Sequence, residues 1–185
     1  MASILNVDKV QSTATDGNIV VDPNGTGLFL PNRTPCFFAR LSSDQTVNDA
    51  AETVVQFATE DFDIGGIWDT SNYRLTVDAN TLGYYHLSGF LYTDGSNGIE
   101  DQRVRIRKNG TTYVETYGAA EIVGGSASGT NAGMHFSAVI PLTTSGDYAD
   151  VAIYADRSSG GTTRINELSS GRSRTFVSGF RVGGA

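Results

Sequence analysis

The chain has 185 residues, the size of one domain or of one domain with an arm. Only 18% of the residues are charged and 22 are glycine, which is typical of short strands joined by many turns. The net charge of −7 argues against nucleic acid and anionic membranes as partners, because a phosphate-binding protein needs a cationic face.

Export signals and disulfides are not indicated by this sequence. No stretch approaches 18 apolar residues, and residues 1–10 lack a basic segment followed by an apolar one. The single cysteine, Cys36, rules out an intrachain disulfide, and its apolar neighbours predict a small buried side chain. The expectation is synthesis in a cytoplasm, whereas the composition is typical of extracellular proteins. A virus or phage particle reconciles the two.

Residues 1–34 are turn-rich and only lightly apolar. Short alternating pieces of strand length are separated by turn signals such as Asp16-Gly17 and Asn24-Gly25. Such a segment cannot bury a core alone, so it predicts an extended arm that needs a partner surface, with a disordered tail as the alternative. The residues expected to anchor this arm are Ile4, Leu5, Val7, Val10, Ile19 and Val21.

From Pro35 onward, apolar and polar residues alternate with a period of two. In the clearest strand, Arg103, Arg105 and Arg107 face one side while Val104 and Ile106 face the other. No window of eleven residues shows a helical stripe, and eight to ten strands at this spacing predict a sandwich or barrel. Further strands are predicted near residues 37–41, 55–57, 73–77, 85–91, 111–114, 135–142, 151–155 and 175–182.

Seven short motifs between Pro35 and Val182 resemble, in order, landmarks of the complement globular-head and tumour-necrosis-factor jelly-roll superfamily. The departures are the lack of a collagen-like stalk and a loop at 124–133 that is unusually rich in small residues. The motifs are Phe37-Phe38-Ala39, residues 55–69, Tyr73 to Val77, Gly83 to Leu87, Val104 to Gly110 with its Asn109-Gly110 turn, Gly146-Asp147-Tyr148, and Phe176 to Val182.

This resemblance implies an all-β, antiparallel β-sandwich jelly roll over residues 35–185, preceded by the arm at 1–34. It also implies a homotrimer that presents loops outward and packs aromatic residues along a threefold axis. Gly83 is expected to open a strand at a point where the chain turns sharply, and Gly179, beside two Phe side chains, is expected to permit close backbone packing. The residues predicted for the subunit interface or the core are Tyr85, Leu87, Tyr148, Phe176 and Phe180.

A second resemblance concerns the arm. Ser3 to Val10, followed by Gly17 to Val21, looks like the starts of tail-fibre and other structural proteins of bacteriophages. The resulting hypothesis is a virion structural protein, either a capsid decoration (cement) protein or a short tail fibre with a host-attachment role. Its partners would be the major capsid protein or tail proteins, and a host surface glycan. A cellular or spore-surface lectin-like binding module of the same superfamily is the alternative.

Motifs for catalysis and metal binding are not found, so we expect a protein that is not an enzyme and has no cofactor. The sequence lacks a nucleophile elbow and a zinc-protease motif. His86 and His135 lie in predicted strands without a neighbouring histidine, which favours a solvent-facing or interface position. Residues 94–101 have the composition of a calcium loop but not its fixed ligand spacing. Because some members of the superfamily that the chain resembles bind calcium in loops, a calcium ion at this segment is kept as the alternative to no cofactor.

Two further groups have a structural and a functional interpretation. The acidic residues Glu60, Asp61 and Asp63 are interpreted as a solvated turn. Trp68 and the eight tyrosines could stack on sugars, but core and interface positions are favoured for them.

Overall fold

The computed structural model of the protein describes residues 34–94, 99–117, 132–157, 160–169 and 172–184. They belong to a compact unit that spans Arg33–Ala185. The predictions made for residues 1–33, including all six arm-anchoring residues, lie outside the described residues. So do residues 95–98 of the acidic segment and residues 124–131 of the small-residue loop.

Regular structure in the described ranges is entirely β. No helix in these ranges is long and apolar enough to cross a membrane. The strands are β1 (Cys36–Arg40), β2 (Gln45–Asn48), β3 (Ala51–Val54), β4 (Thr59–Ile64), β5 (Trp68–Asp69), β6 (Arg74–Thr76), β7 (Gly83–Asp94), β8 (Ile99–Lys108), β9 (Thr111–Tyr117), β10 (Ala132–Leu142), β11 (Tyr148–Arg157), β12 (Thr162–Ile165), β13 (Leu168–Ser169), β14 (Arg172–Ser173) and β15 (Phe176–Gly183).

The strands form two large sheets and one two-stranded ribbon. Sheet I has the order β2-β12-β7-β15-β1-β4, with β10 paired to β7. Sheet II has the order β5-β6-β11-β8-β9, with β3 paired to β11, and the ribbon joins β13 to β14. The ladders of both large sheets are antiparallel. The predicted all-β, antiparallel jelly-roll sandwich is therefore confirmed.

The core lies between the two sheets and is filled by every second residue of their strands. Sheet I contributes Leu87 and Val177, and sheet II contributes Val104 and Ile106. Phe37 stacks on the buried Trp68 with 4.5 Å between ring centroids. The Trp68 indole N–H donates to the carbonyl oxygen of Phe57 at 3.2 Å, so its one polar group is satisfied inside the core.

Two glycines permit close packing in sheet I. A Cβ on Gly179 would lie 2.6 Å from the ring of Phe37, so the missing side chain makes room for that ring. Gly83 is the first residue of β7, in agreement with its predicted place at the start of a strand. A Cβ there would lie 2.2 Å from the carbonyl oxygen of Gly183, so the glycine allows the backbone of β15 to approach.

The structure corrects several predictions about strands and burial. Residues 59–64, interpreted as an acidic solvated turn, form the edge strand β4, whose charged residues suit an edge that must not pair with other chains. The strand predicted over 73–77 is shorter, because Tyr73 adopts a positive φ of 57°. Cys36 is only partly buried, because it projects from the outer side of β1.

Two turns predicted from the sequence meet around one carboxylate. Asn109 and Gly110 have φ values of 50° and 77°, as a tight hairpin turn requires. Asn109 donates to Asp147 at 2.8 Å, and Asp147 also accepts from the backbone N–H groups of Thr143 and Thr144. Although burial opposes its ionisation, the bonds from Asn109 and Lys108 lower the pKa of Asp147.

We predict that Asp147→Ala lowers the free energy of unfolding by roughly 1–3 kcal/mol at pH 7, because the N–H groups of Asn109, Thr143 and Thr144 lose their shared acceptor. Since the carboxylate is stabilised in the folded state, its contribution is present above about pH 4 and is lost as the pH falls. Denaturant unfolding at pH 7 and at pH 3 should therefore show a smaller difference from the parent chain at pH 3. The exposed Glu100→Ala serves as control, and an Asp147→Ala curve that overlays the parent at pH 7 would contradict the stabilising role of this carboxylate.

Candidate functional site

The outer side of sheet I, away from the core, is the candidate site. Five strands, β10, β7, β15, β1 and β4, bring their outward side chains into cross-strand rows. We call these rows the apolar face. The first row is Val139, His86, Phe180, Cys36 and Ile64, the second is Ser137, Ser88, Ser178, Phe38 and Phe62, and the third is His135, Phe90, Phe176 and Arg40.

Exposed hydrophobic side chains are concentrated on the strands of this face. In the part of the chain that the structure describes, eight large hydrophobic residues are strongly exposed, and six of them belong to these strands. They are Phe62 (48%), Ile64 (47%), Tyr84 (45%), Val139 (49%), Phe180 (46%) and Val182 (51%). A concentration of this kind marks an interaction surface, whereas scattered exposed residues do not.

Aromatic contacts organise the face. Phe38 lies 5.3 Å from Phe176 and 6.3 Å from Phe62, measured between ring centroids, so three rings stack across β15, β1 and β4. Beside this stack is a depression of about 390 Å³ that is lined by Ser88, Gly89, His135, Phe136, Ser137 and Phe176. Three of these six residues are serine or glycine, so a side chain from another molecule has room to enter.

Charge is nearly absent from the apolar face. Of the residues in its three rows, only Arg40 carries a full charge at neutral pH. Arg40 lies in the third row, where its guanidinium pairs with Asp61 at 3.0 Å and with Glu167 at 3.6 Å. Removing the other two rows from water therefore requires no desolvation of an ionised group.

The outer side of sheet II has the opposite character. Arg103, Arg105 and Arg107 project from it, as the alternation along β8 predicts. Arg107 binds both carboxylate oxygens of Asp150, at 2.7 and 2.8 Å, and also pairs with Glu52. This side is a network of ion pairs, which is costly to desolvate and suits contact with water.

The five residues predicted for the interface or the core separate into three groups. Tyr85 and Leu87 are completely buried and point into the protomer's own core. Phe176 and Phe180 lie on the apolar face. Tyr148 belongs to sheet II, where the Arg74 guanidinium lies 4.2 Å from its ring centroid.

Several residues of the apolar face are not identified as site residues by the sequence motifs, above all Phe38, Phe62, Ile64 and Val139. A signal for them exists in the sequence. In β1 and β15 the outward residues Phe38, Phe176 and Phe180 are as apolar as the inward ones, whereas β8 alternates between apolar residues and arginine. A strand whose inward and outward residues are both apolar needs a packing partner on each side of its sheet.

The other candidate residues from the sequence, Trp68 and Asp63, make contacts within the protomer. Trp68 is buried in the core and is therefore not a sugar platform. Asp63 accepts a hydrogen bond from the backbone N–H of Trp68 at 2.8 Å. Over the described ranges, no group of three or more His, Cys, Asp or Glu side chains is placed to hold a metal ion.

Comparison with solved structures supports the fold. Murine APRIL at pH 5.0 aligns over 81% of this chain and 100% of its own, with a TM-score of 0.53 and 12% identity. Eiger TNF from S. frugiperda aligns over 83% of this chain and 94% of its own, with a TM-score of 0.50 and 10% identity. The globular domain of the zebrafish complement 1qA protein has a TM-score of 0.49 and 16% identity, over 83% of this chain and 100% of its own.

The similarities to APRIL and Eiger TNF show that the chain has the C1q/TNF-like jelly-roll fold, as the sequence motifs predict. At these identities the likeness concerns the fold alone. No protein-family model matches the sequence, and no curated protein matches it either.

We predict that neighbouring positions on opposite sides of sheet I respond differently to a charge. Leu87→Asp places a carboxylate in the core and prevents folding, because an unpaired buried charge costs several kcal/mol. Phe180→Asp places it on the outer side, so the protomer still folds. Cooperative thermal unfolding, followed by the emission of the buried Trp68, distinguishes the two variants. An unfolded Phe180→Asp protomer would show that the outer side belongs to the folding core.

Proposed function

We propose that this protein is a non-enzymatic, homotrimeric assembly module on the surface of a bacteriophage particle. The observation that carries the proposal is the apolar face of sheet I. In the trimer, this face of each protomer packs against two other copies of the chain, while the charged side of sheet II and the loops face outward.

A second copy of the same chain is the occupant that fits the apolar face best. The face offers no row of charges that a charged ligand could pair with, and its large side chains require an apolar, shaped counterpart. Every other protomer carries the same apolar face in the same geometry. Identical copies can therefore cover one another's faces around a symmetry axis, which is how closed oligomers form. The resemblance of the seven motifs to the C1q/TNF superfamily favours three copies.

The phage setting is supported by the sequence of the arm. Residues 3–10 and 17–21 look like the starts of phage tail-fibre and structural proteins. In this proposal the arm holds the trimer on the particle, and the major capsid protein or tail proteins are its partners.

Two placements on the particle fit this proposal. A capsid decoration protein would clamp neighbouring capsomers, and a short tail fibre would dock by its arm and touch a host glycan with its outward loops. Electron cryomicroscopy of the particle separates them, because copies over the shell indicate decoration and a small set at the tail indicates a fibre.

We predict that Phe180→Asp abolishes the trimer, because each copy would bring a carboxylate into the closed face. Tyr117→Asp is the matched control, since Tyr117 is 64% exposed on β9 of sheet II. Light scattering coupled to size exclusion at pH 8 should give three chains for the parent and for Tyr117→Asp, and one chain for Phe180→Asp. Three-chain particles of Phe180→Asp would contradict the proposed interface.

The single cysteine provides an independent readout in the same experiment. Cys36 is in the first row of the apolar face, next to Phe180 in the ladder, so assembly should shield its thiol. Maleimide should react slowly with the parent and with Tyr117→Asp, and quickly with folded Phe180→Asp. Equal rates in all three proteins would argue that the face stays open.

For the arm, we predict that deletion of residues 1–30 leaves the trimer intact but abolishes attachment to phage particles. Co-sedimentation of the truncated and the full-length trimer with particles that lack this protein measures attachment, and light scattering verifies assembly. Attachment at full strength without the arm would contradict its role, and loss of folding would show that the arm belongs to the core.

A further inference from the structure

Both histidines of the chain project from the apolar face. His86 is in the first row between Val139 and Phe180, with its ring centroid 5.2 Å from that of Phe180. His135 is in the third row, with its ring centroid 4.6 Å from that of Phe90. Apart from Arg40 in the third row, the apolar face is made of apolar, hydroxyl and thiol side chains, and it thus holds both imidazoles of the chain.

The surroundings of His86 suit a neutral ring. Its Nε2 atom lies 2.9 Å from the hydroxyl oxygen of Ser137. Its Nδ1 atom is buried and has no hydrogen-bond partner among the described residues. An imidazolium carries N–H groups on both ring nitrogens, so the protonated ring would leave the Nδ1 N–H without an acceptor.

Within the described strands packed around His86, no carboxylate faces its ring. The neighbouring outward residues are Tyr84 and Ser88 on its own strand, Ser137 and Val139 on β10, Phe180 and Val182 on β15, and Cys36 beyond Phe180 on β1. The nearest charged residue along β15 is Arg181, which follows Phe180 and whose guanidinium lies 3.5 Å from the carbonyl oxygen of Leu82.

His135 has a more polar margin. Phe90 and Phe176 share its row, which ends at Arg40 with its partners Asp61 and Glu167. Further along β7, the Arg174 guanidinium lies 4.7 Å from the ring centroid of Tyr92, and Asp94 forms an ion pair with Arg164. These carboxylates already have arginine partners, and His135 itself is exposed in the protomer.

We propose that assembly through the apolar face is controlled by pH, with His86 as the main switch: the trimer is closed when the imidazole is neutral and opens when it is protonated. The inference rests on the proposed trimer. Closing the face against other copies removes water from the rows that contain His86, and burial without a carboxylate partner favours the uncharged ring. His135, nearer the margin, contributes less.

Three copies of His86 act together in one trimer. If closure prefers the neutral ring by about tenfold in each protomer, acid weakens the overall assembly constant by about a thousandfold. Because the concentration of half-assembly of a trimer varies as the inverse square root of this constant, that concentration rises by about thirtyfold in acid. A sample held within this thirtyfold range at pH 8 should therefore separate into folded protomers at pH 5.

The experiment is sedimentation velocity of the full chain at pH 8 and pH 5, for the parent, His86→Gln and His135→Gln. Glutamine retains a hydrogen-bonding group for Ser137 but does not titrate. The emission of the buried Trp68 reports whether the protomer stays folded. We expect three-chain particles for all proteins at pH 8. At pH 5 the parent and His135→Gln should separate into folded single chains, reversibly, while His86→Gln stays assembled.

Three results would overturn the switch: a parent trimer unchanged at pH 5, a His86→Gln trimer that opens at the same pH as the parent, or loss of native Trp68 emission before dissociation. Single chains of the parent at pH 8 would have a different meaning, because they contradict the proposed trimer itself and the switch along with it.

Discussion

Sheet I is apolar on both sides, and within the described part of the protomer a second layer covers only one of them. Sheet II covers the inner side, where Leu87 and Val177 are completely buried. On the outer side, Phe180, Val139 and Ile64 remain about half exposed. Apolar surface of this extent is unfavourable in water, at about 25 cal/mol per Å². The proposed trimer, its acid sensitivity and the orientation of the module all follow from the need to cover this side.

The contrast between the two sheets decides which side of the protomer the proposed trimer would bury. On sheet II, Arg107 and Asp150 form a two-bond ion pair, and Arg105 pairs with the partly exposed Glu52 and Glu115. Burying that network against another molecule would cost more than burying the serine and phenylalanine rows of sheet I. In the proposed switch, protonating His86 would place on sheet I a charge of the kind that sheet II carries permanently.

The fold could be predicted because period-two alternation and the turns at Asn109-Gly110 and Gly146-Asp147 are local signals. The apolar face could not be predicted in the same way, because it depends on register between strands far apart in the chain. Phe38 and Phe176 stack only because β1 pairs with β15, and no local pattern contains that information. The strand that contains Phe62 and Ile64 was also not predicted, because the acidic residues Glu60, Asp61 and Asp63 in the same segment are typical of a solvated turn.

The central claim is that the outer side of sheet I is covered by other copies of the chain. Sedimentation equilibrium of the unmodified full-length protein at pH 8, over a range of concentrations around micromolar, tests it most directly. We expect a species of three chains that persists on dilution through that range. A well-folded species of one chain over the whole range would contradict the claim.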